Sequence, residues 1–290
     1  MRQLFIICLL LEIFSMSAFL SAQIPEWQWV QCAGGVETDN GKAIAVDNEG
    51  NSYIVGYFNE MSNFGDFQLQ SAGFDDIFIG KIDRSGNWLW AKRAGGIGRD
   101  SGNAITVDYG GNCYVTGIFQ NVASFGEIQL QNSATAYGIF IAKLDRDGNW
   151  LWAEKSEGGN QNYGNGISLD ENGNCYITGS FQERIIFGDT ELVSGGTCLF
   201  IAKIDSNSVW QWAVQPLSAS IAEGYAIDTD NEGNSYVTGR YNSDITINDD
   251  IQLRGLGNKD ILIAKVNTNG QWLWAQNGGG RQEDIGYAVT

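Results

Sequence analysis

The chain has 290 residues, contains no histidine and carries a formal net charge of −17, with 17 Lys and Arg against 34 Asp and Glu. Without histidine, Ser-His-Asp and Cys-His nucleophile systems and His-ligated zinc are excluded. The negative charge argues against nucleic acid and anionic membranes as partners, because both are bound mainly through Lys and Arg. It suits a soluble extracellular protein or one that gathers cations, and solubility alone explains most of it.

Residues 1–22 are predicted to form a secretory signal peptide. Arg2 supplies the positive end, Leu4 to Leu11 the apolar stretch, and a Ser-Ala pair at 21–22 the small-residue cleavage site. Glu12 interrupts the apolar run, so a buried N-terminal helix is the alternative. No other stretch approaches the roughly 18 apolar residues that span a bilayer. We therefore expect an exported protein, secreted or at the cell surface, with no membrane span in the mature chain.

All ten tryptophans occur in five Trp-x-Trp pairs, whose starts are 61, 62, 60 and 62 residues apart (88−27, 150−88, 210−150, 272−210). Such a fixed interval indicates a repeat architecture. Alternate positions on a strand would place both rings on one face of a sheet, where they are expected to fill the space between sheets. A row of exposed rings that stack on sugars is the alternative. The predicted structural tryptophans are Trp27, Trp29, Trp88, Trp90, Trp150, Trp152, Trp210, Trp212, Trp272 and Trp274.

Each repeat predicts four antiparallel strands. In the first copy these are "GKAIAVD", "SYIVGYF", "DIFIGKID" and "WLWAKRAGG", with tight turns "NEGN" and "RSGN". Asp accepts backbone hydrogen bonds at the start of a turn, and Gly-Asn tolerates positive φ. Four such strands at a fixed interval predict the blade of a β-propeller. A row of small residues on the first strand fits crowding near a central axis: Ala43, Ala104, Gly166, Ala226 and Ala288.

The pattern Asp-x-x-Gly-Asn-x-Tyr-x-x-Gly, followed by "FIAK[IL]D" and a Gly-Gly turn, resembles the SBBP-type β-propeller repeats of exported bacterial proteins. The resemblance covers four copies over residues 41–280. It implies a propeller of secreted repeats, often within longer surface proteins, with no established catalytic residues. The fourth copy departs from the pattern where "PLSASIAEGY" replaces the Gly-Gly link.

We expect an all-β propeller with four full four-stranded blades and partial terminal strands. Trp27–Gly35 resembles a fourth strand without its first three, and the fifth copy stops at Thr290. We therefore expect a fragment or truncated product of a larger propeller, with four-bladed closure as the alternative. The predicted organisation is a signal peptide at 1–22 and a repeat domain at 23–290, with repeats at approximately 41–100, 101–162, 163–222 and 223–284 and a partial fifth at 285–290.

The candidate ligand-binding residues are acidic or amide side chains in the repeat. Four precede the repeat's glycine by two residues and are expected on one face: Asp39, Asp100, Asn162 and Asp284. The favoured interpretation is that each side chain caps its own turn, and the alternative is an acidic ring that would suit Ca²⁺ or cationic groups. Asp228 is the single charge in its row of the first strand; a solvated structural role is expected, with a ligand-binding position in the channel as the alternative. Residues 228–234 resemble a calcium loop only weakly, because Gly239 stands where glutamate is expected.

Two further sets recur in the repeat. The lysines at the third strand, each two residues before an Asp or Asn, are expected to be structural and paired: Lys81, Lys143, Lys203 and Lys265. Cys113 and Cys175 occupy one repeat position, and with Cys32 and Cys198 are expected to be buried free thiols.

The sequence predicts no catalytic residue, no metal site and no cofactor beyond weak Ca²⁺ binding. We expect a non-enzymatic exported scaffold that binds protein or glycan at a propeller face. The alternative is a propeller enzyme, either a quinoprotein-like dehydrogenase or a carboxylate-based lyase or hydrolase. "IDRSGNWLW" loosely resembles the tryptophan motif of eight-bladed quinoproteins, but its Asp-to-Gly spacing is one residue short and no adjacent Cys-Cys pair is present.

Overall fold

The computed structural model describes residues 27–133 and 135–290, so the predicted signal peptide lies outside the described residues. In this part of the chain every regular element is a β-strand, and no helix has the length and apolar character needed to cross a membrane. The strands form four antiparallel sheets of four main strands each, with inner strands side by side. The predicted all-β, propeller-like fold built of four-stranded blades is confirmed.

The first two blades follow the order of the predicted strands. Before them, β1 (Ala33–Gly35) pairs with the far end of the second strand of blade 1. Blade 1 contains β2 (Asp39–Val46), β3 (Ser52–Phe64), β4 (Phe67–Ile82) and β5 (Trp88–Gly96). Blade 2 contains β6 (Ser101–Val107), β7 (Cys113–Phe119), the outlying hairpin β8 (Val122–Phe125) and β9 (Ile128–Gln131), then β10 (Gly138–Leu144) and β11 (Trp150–Lys155).

The last two blades repeat this arrangement. Blade 3 contains β12 (Tyr163–Leu169), β13 (Cys175–Phe187), β14 (Thr190–Ile204) and β15 (Trp210–Val214). Blade 4 contains β16 (Ile221–Thr229), β17 (Ser235–Asn242), the outlying hairpin β18 (Ile245–Thr246) and β19 (Gln252–Leu253), then β20 (Asp260–Val266) and β21 (Trp272–Gly278). The first strand of each blade is its inner strand, and the fourth strand lies at the opposite edge of the sheet.

The two tight turns of each blade lie at the same end of the sheet. The inner turn joins the first and second strands, and the outer turn joins the third and fourth strands. In blade 1 the outer turn runs from Asp83 to Asn87, and its Asp carboxylate accepts backbone N–H groups of Ser85 and Asn87 at 2.8 and 2.9 Å. We call this end the turn end and the opposite end, where the chain crosses to the next blade, the link end.

The hydrophobic cores lie mainly between blades. One cluster joins Tyr53, Val55 and Ile79 of blade 1 to Val115 and Phe140 of blade 2. A second cluster joins blades 2 and 3, and a third joins blades 3 and 4. Because each sheet buries side chains against the next sheet, the apolar pattern covers both faces of the interior blades.

The tryptophan pairs do not lie on one face, so that prediction was wrong. In blade 1 Trp90 is opposite Lys81 and Trp88 is opposite Ile82, with a register shift between these two partners. Consecutive residues of a strand point to opposite faces, so a β-bulge at Leu89 sends the two rings to opposite sides. The same shift occurs at the third and fourth strands of the other three blades. The sequence spacing alone could not show the extra residue.

Each ring of a pair therefore has its own packing role. Trp88 contacts its own blade, where a Cβ on Gly65 would lie 2.6 Å from its ring. Trp90 reaches the next blade and donates its indole N–H to the carbonyl of Arg146 at 3.2 Å. Trp29 and Trp212 make the same kind of bond, to Arg84 and Thr268, both at 3.0 Å.

The inner strands approach one another closely. A Cβ on Gly166 would lie 3.0 Å from the Cα of Ala226, which explains why this row is small. A bulge in each inner strand also turns a side chain toward its neighbour. Asn103 and Asn165 donate side-chain N–H groups to the carbonyls of Gly164 and Gly224, at 2.9 and 2.8 Å.

The four cysteines of the described residues are free thiols. Cys113, Cys175 and Cys198 are buried, as predicted. Cys32 is exposed, so the prediction of a buried thiol was wrong there. It lies just before β1, a strand whose three residues are themselves exposed or half-buried.

The outer turn of blade 3 places a serine in a backbone conformation that favours glycine. Ser208 has φ 64°, where the equivalent Gly86, Gly148 and Gly270 have φ 89°, 80° and 82°. A non-glycine residue there costs about 1–2 kcal/mol. We expect Ser208→Gly to raise the free energy of unfolding by roughly 0.5–1 kcal/mol, after the greater freedom of glycine in the unfolded chain is subtracted.

Urea unfolding measures this effect. The matched control is Ser206→Gly in the same turn, where φ is not positive, and it should lower stability. Equal destabilisation by both variants would contradict the assignment of strain to position 208.

Candidate functional site

The inner turns share one set of hydrogen bonds. In blade 1, Asp47 Oδ1 accepts the backbone N–H groups of Glu49 and Asn51 at 3.0 and 2.9 Å. The side chain of Asn51 donates to Asp47 Oδ2 at 2.8 Å. Gly50 has φ 83°, a conformation that glycine adopts without strain. The same bonds form around Asp108, Asp170 and Asp230.

A lysine and a tyrosine stand beside each of these carboxylates. Lys81 Nζ lies 3.8 Å from Asp47 Oδ2 and 4.7 Å from the centroid of the Tyr53 ring. Burial raises the pKa of Asp47, but hydrogen bonds from Asn51 and Glu49 and the charge of Lys81 outweigh burial and leave the pKa below its ordinary value. The lysines are paired, as predicted, but with the aspartate of the inner turn and not with the Asp or Asn two residues after them: Lys143 with Asp108, Lys203 with Asp170 and Lys265 with Asp230.

The same groups fix the turn ends of neighbouring blades side by side. The hydroxyl of Tyr53 donates to the carbonyl of Gly111, in the inner turn of blade 2, at 2.8 Å. Lys81 donates to the carbonyl of Arg146, in the outer turn of blade 2, at 3.3 Å. Because these bonds cross between blades, the inner turns form a continuous surface around the ends of the inner strands.

A cavity of about 560 Å³ opens at this surface, where the ends of the inner strands of all four blades converge. Five acidic side chains and one lysine line it: Asp47, Asp108, Asp170, Glu171, Asp228 and Lys143. Its volume is within the range of small-ligand sites, about 300–1,000 Å³. The excess of carboxylates gives it a negative potential that favours cationic groups.

Asp228 is the predicted site residue that the structure places in this cavity. The hydroxyl of Ser168, on the inner strand of blade 3, lies 3.1 Å from Asp228 Oδ1. Amide groups of their own turns surround the turn aspartates. Asp228, in contrast, accepts a hydrogen bond from Ser168 and from no other described residue. Its carboxylate therefore retains acceptor capacity toward the cavity.

The other four predicted residues lie at the link end, so the structure does not bring them together with Asp228. They precede or begin inner strands, and an eight-residue strand such as β2 separates the two ends by roughly 20–25 Å. Each bonds to the backbone four residues earlier. Asp39, Asp100 and Asp284 accept the N–H of Gly35, Gly96 and Gly280 at 2.6, 2.7 and 2.8 Å, and Asn162 donates to the carbonyl of Gly158 at 2.7 Å.

These contacts are those of caps on the links between blades, the interpretation favoured above for these residues. Asp100 is buried and also accepts the N–H of Gln120 at 3.0 Å. Asn162 is buried, and its Oδ1 has no hydrogen-bond partner among the described residues. A ligand-binding role for the four residues stays a prediction.

A second buried carboxyl accompanies Asp100 in blade 1. Asp76 and Asp100 lie beside the same space at Gly95, because a Cβ there would be 2.9 Å from Asp76 Oδ1 and 2.7 Å from Asp100 Oδ2. Arg93 donates to Asp76 Oδ2 at 2.8 Å. Burial raises the pKa of Asp100 to about 7 and that of Asp76 to about 6. Asp260 and Asp284 flank Gly279 in the same way.

The weak calcium-loop resemblance at residues 228–234 corresponds to the inner turn of blade 4. Both carboxylate oxygens of Asp230 accept hydrogen bonds from Asn234. Burial raises the pKa of Asp230, but bonds from Asn234, Lys265 and Tyr236 outweigh burial and bring the pKa to about 2. Within residues 27–133 and 135–290, no group of three or more acidic or cysteine side chains is placed to hold a metal ion.

Sequence reasoning missed most of the cavity wall. Tyr109 and Glu171 each follow the aspartate of an inner turn, at the first of its two variable positions, and both line the cavity. Tyr109 is 85% exposed, unusual for an aromatic side chain. The sequence signal for both residues is their departure from the repeat. The turn itself does not require an aromatic or acidic residue at this variable position.

Comparison with known proteins agrees with this geometry. Residues 28–65 match a family model described as the SBBP beta-propeller repeat. Residues 28–65 are therefore similar to an SBBP-type β-propeller repeat. The matched segment runs from the first tryptophan pair through β1, β2 and β3, and the structure repeats the same strand and turn pattern in the three later blades. The predicted resemblance is confirmed.

One curated relative extends over more of the chain. It is described as an uncharacterized WD repeat-containing protein of Acanthamoeba polyphaga mimivirus and is 27% identical over 225 aligned positions. The alignment covers 64% of this chain and 16% of the relative, so the chain spans a small part of that protein's length. The name of this relative also describes a repeat protein.

Removing a buried lysine tests its pairing with the aspartate of the inner turn. We expect Lys81→Met to lower the free energy of unfolding by roughly 1–3 kcal/mol, because Asp47 loses its buried cation and the Arg146 carbonyl loses a donor. Lys265→Met is the matched control, because no further blade supplies a carbonyl to Lys265 in the described residues, and its effect should be smaller. Chemical denaturation measures both, and an unchanged stability for Lys81→Met would contradict the structural role.

The buried carboxyls of blade 1 predict a pH dependence. Their folded pKa values lie above the ordinary 3.8, so between pH about 4 and 7 the folded protein keeps protons that the unfolded chain has released. The contribution of these two carboxyls to the free energy of unfolding therefore falls as pH rises through this window, and it levels off above it. We expect Asp100→Asn to flatten the decline measured by urea unfolding at pH 4, 5.5, 7 and 8.

The reciprocal change tests the same claim. Asn162→Asp places a carboxyl at the equivalent buried position of blade 2 and should steepen the decline. A pH profile that neither substitution alters would contradict the assignment.

Proposed function

We propose that this chain is an exported, non-enzymatic recognition scaffold that acts outside the cell or at its surface, and that its ligand site is the acidic cavity at the turn end. The observation that carries the proposal is the convergence of five carboxylates and one lysine on a cavity of about 560 Å³. The site sits on the ends of strands that belong to four separate blades, so a rigid framework positions it.

The charge and shape of the cavity favour a basic side chain of a protein partner. Lys143 is already 4.0 Å from Asp108, so the carboxylates outnumber the cation that the chain itself supplies. Asp228 retains acceptor capacity and could receive a Lys or Arg head group. The exposed ring of Tyr109 at the same cavity adds a surface for cation–π contact. A protein segment with one or more basic residues is therefore the ligand class that fits best.

Two features support a binding role over catalysis. The chain has no histidine, and the turn aspartates of the cavity already accept the N–H groups that shape their turns. The residues common to all blades serve packing and turn formation, whereas Asp228, Tyr109 and Glu171 depart from the repeat. Export is supported by the predicted signal peptide at residues 1–22.

Binding of short charged peptides tests this function. Isothermal titration with tetralysine and tetra-arginine peptides should give measurable binding, which weakens as salt screens the cavity. We expect Asp228→Asn to weaken binding about three- to tenfold, since it removes one charge of a salt bridge. Asp189→Asn, an equal charge change at an exposed turn of blade 3, is the matched control and should leave binding unchanged.

A screen of oligosaccharides and tetraglutamate, with and without Ca²⁺, completes the test. Binding of basic peptides that Asp228→Asn and Asp189→Asn weaken equally would show a diffuse charge effect and contradict the cavity site. If neutral oligosaccharides bind and basic peptides do not, the ligand class is glycan and not a basic protein segment.

A further inference from the structure

A second, smaller cavity lies beside the acidic cavity, between the turns of blades 1 and 2. We call it the side pocket, and its walls are Asp47, Asn48, Glu49, Lys81, Tyr109, Gly110, Gly111 and Arg146. Its volume is about 120 Å³, well below the roughly 300–1,000 Å³ of sites that hold a whole small ligand, so it has room for a single functional group. The two cavities share Asp47, Asn48, Tyr109 and Gly110. A ligand in the acidic cavity can therefore extend into the side pocket past the exposed ring of Tyr109.

The side pocket contains two cations whose hydrogen-bond donors are largely unused. Lys81 is 4% exposed, and its Nζ donates one hydrogen bond, to the carbonyl of Arg146 at 3.3 Å. An ammonium group has three N–H groups, and the carboxylate paired with this one, Asp47 Oδ2, is 3.8 Å away. A guanidinium has five N–H groups. Among the described residues, that of Arg146 makes an ion-pair contact with Glu49 at 3.6 Å and no hydrogen bond.

The two carboxylates of the side pocket are already engaged by the turn. Asp47 accepts three hydrogen bonds from its own turn, two from backbone N–H groups and one from the side chain of Asn51. Glu49 is exposed, and its side chain accepts from Asn51 at 3.4 Å. The pocket therefore has more free donors than free acceptors, although its formal charges balance. A carboxylate fits this excess, because its hydrogen bonds with a guanidinium are bidentate and charge-assisted.

Arg146 distinguishes this pair of blades from the next two pairs. The equivalent outer-turn residue is Ser206 between blades 2 and 3 and Thr268 between blades 3 and 4. The backbone of Arg146 serves the framework, because its carbonyl accepts from Trp90 and Lys81. Any residue supplies that carbonyl. The guanidinium is therefore not required by the repeat, and it is free to act in binding.

We propose that the side pocket binds a carboxylate of the same ligand whose basic side chain enters the acidic cavity. The inference rests on the proposed function and names its ligand more closely. The ligand is a peptide in which a Lys or Arg lies next to a carboxylate, supplied either by the C-terminus or by an Asp or Glu side chain. In the complex Arg146 and Lys81 donate to this carboxylate, and Glu49 gives up its contact with Arg146.

Isothermal titration with matched peptide pairs tests the proposal. Tetralysine with a free C-terminal carboxylate is compared with its C-terminal amide, and trilysyl-aspartate amide with trilysyl-asparagine amide, so the two pairs separate the two sources of the carboxylate. In at least one pair the peptide with the carboxylate should bind about three- to tenfold more tightly. Simple attraction to the negative protein predicts the opposite order, because the carboxylate lowers the positive charge of the peptide.

Substitution of Arg146 assigns the preference to the side pocket. Arg146→Ser introduces the residue that blade 3 carries at this position, and it should abolish the difference within the pair while the neutral peptide still binds. Arg84→Ser is the matched control, because it is the same change at the same repeat position of blade 1 and lies outside both cavities. It should preserve the preference. Equal affinity of the carboxylate and neutral peptides for the wild type would overturn the proposal.

Removal of the internal competitor should have the reverse effect. Glu49→Gln frees Arg146 and should strengthen binding of the carboxylate peptide about threefold. Glu232→Gln, the same change at the same turn position of blade 4, is the matched control and should leave the affinity unchanged. A gain of this kind cannot come from a misfolded variant. Equal effects of the two substitutions would contradict the assignment to the side pocket.

An NMR titration with acetylglycine, which carries a carboxylate and no cation, separates failure of the side pocket from failure of the proposed function. The backbone amide signals of Gly110 and Gly111 should shift in the wild type and not in Arg146→Ser. Such shifts without any binding of basic peptides would support a carboxylate site and contradict the proposed function. Absence of the shifts, or their persistence in Arg146→Ser, would overturn the side pocket even if basic peptides bind.

Discussion

The contact of Trp29, Trp90 and Trp212 with the outer turn of the next blade is the interaction on which the arrangement depends. Trp90 packs over Gly148 and bonds to the carbonyl of Arg146, which fixes both the distance and the rotation between two sheets. The contact requires a β-bulge that turns this ring away from Trp88, and it requires a turn held rigid by its own Asp and Asn. The cross-blade bonds of Tyr53 and Lys81 then act on turns that are already in place. The acidic cavity exists because these turns are aligned.

The sequence was informative wherever structure is decided within a few residues. Asp47, Gly50 and Asn51 form their turn by local hydrogen bonds and a positive φ, so their spacing predicted it. The four-strand order and the small row at Ala43 and Gly166 followed from the same regularity. The bulge at Leu89 could not be predicted in this way, because register depends on how two strands pair, and a single extra residue reverses every following side chain.

At the candidate site, too, features visible in the sequence differ from features that depend on the folded arrangement. Asp228 lines the cavity, and it could be singled out from the sequence because it breaks a neutral row of the repeat. Asp100 and Asn162 also carry a carboxylate and an amide, but they lie at the link end, where they bond to the backbone of Gly96 and Gly158. Tyr109 and Glu171 were missed because a turn position tolerates many residues, and only the three-dimensional convergence of several turns gives those side chains a shared surface.

Nuclear Overhauser contacts from selectively labelled tryptophan test the opposed rings most directly. The account predicts that the ring protons of Trp90 contact the α protons of Gly148 in blade 2, while those of Trp88 contact Gly65 of blade 1. Contacts from both rings to one glycine, or to neighbours on one face of the sheet, would contradict the bulge and the blade-to-blade contact that follows from it.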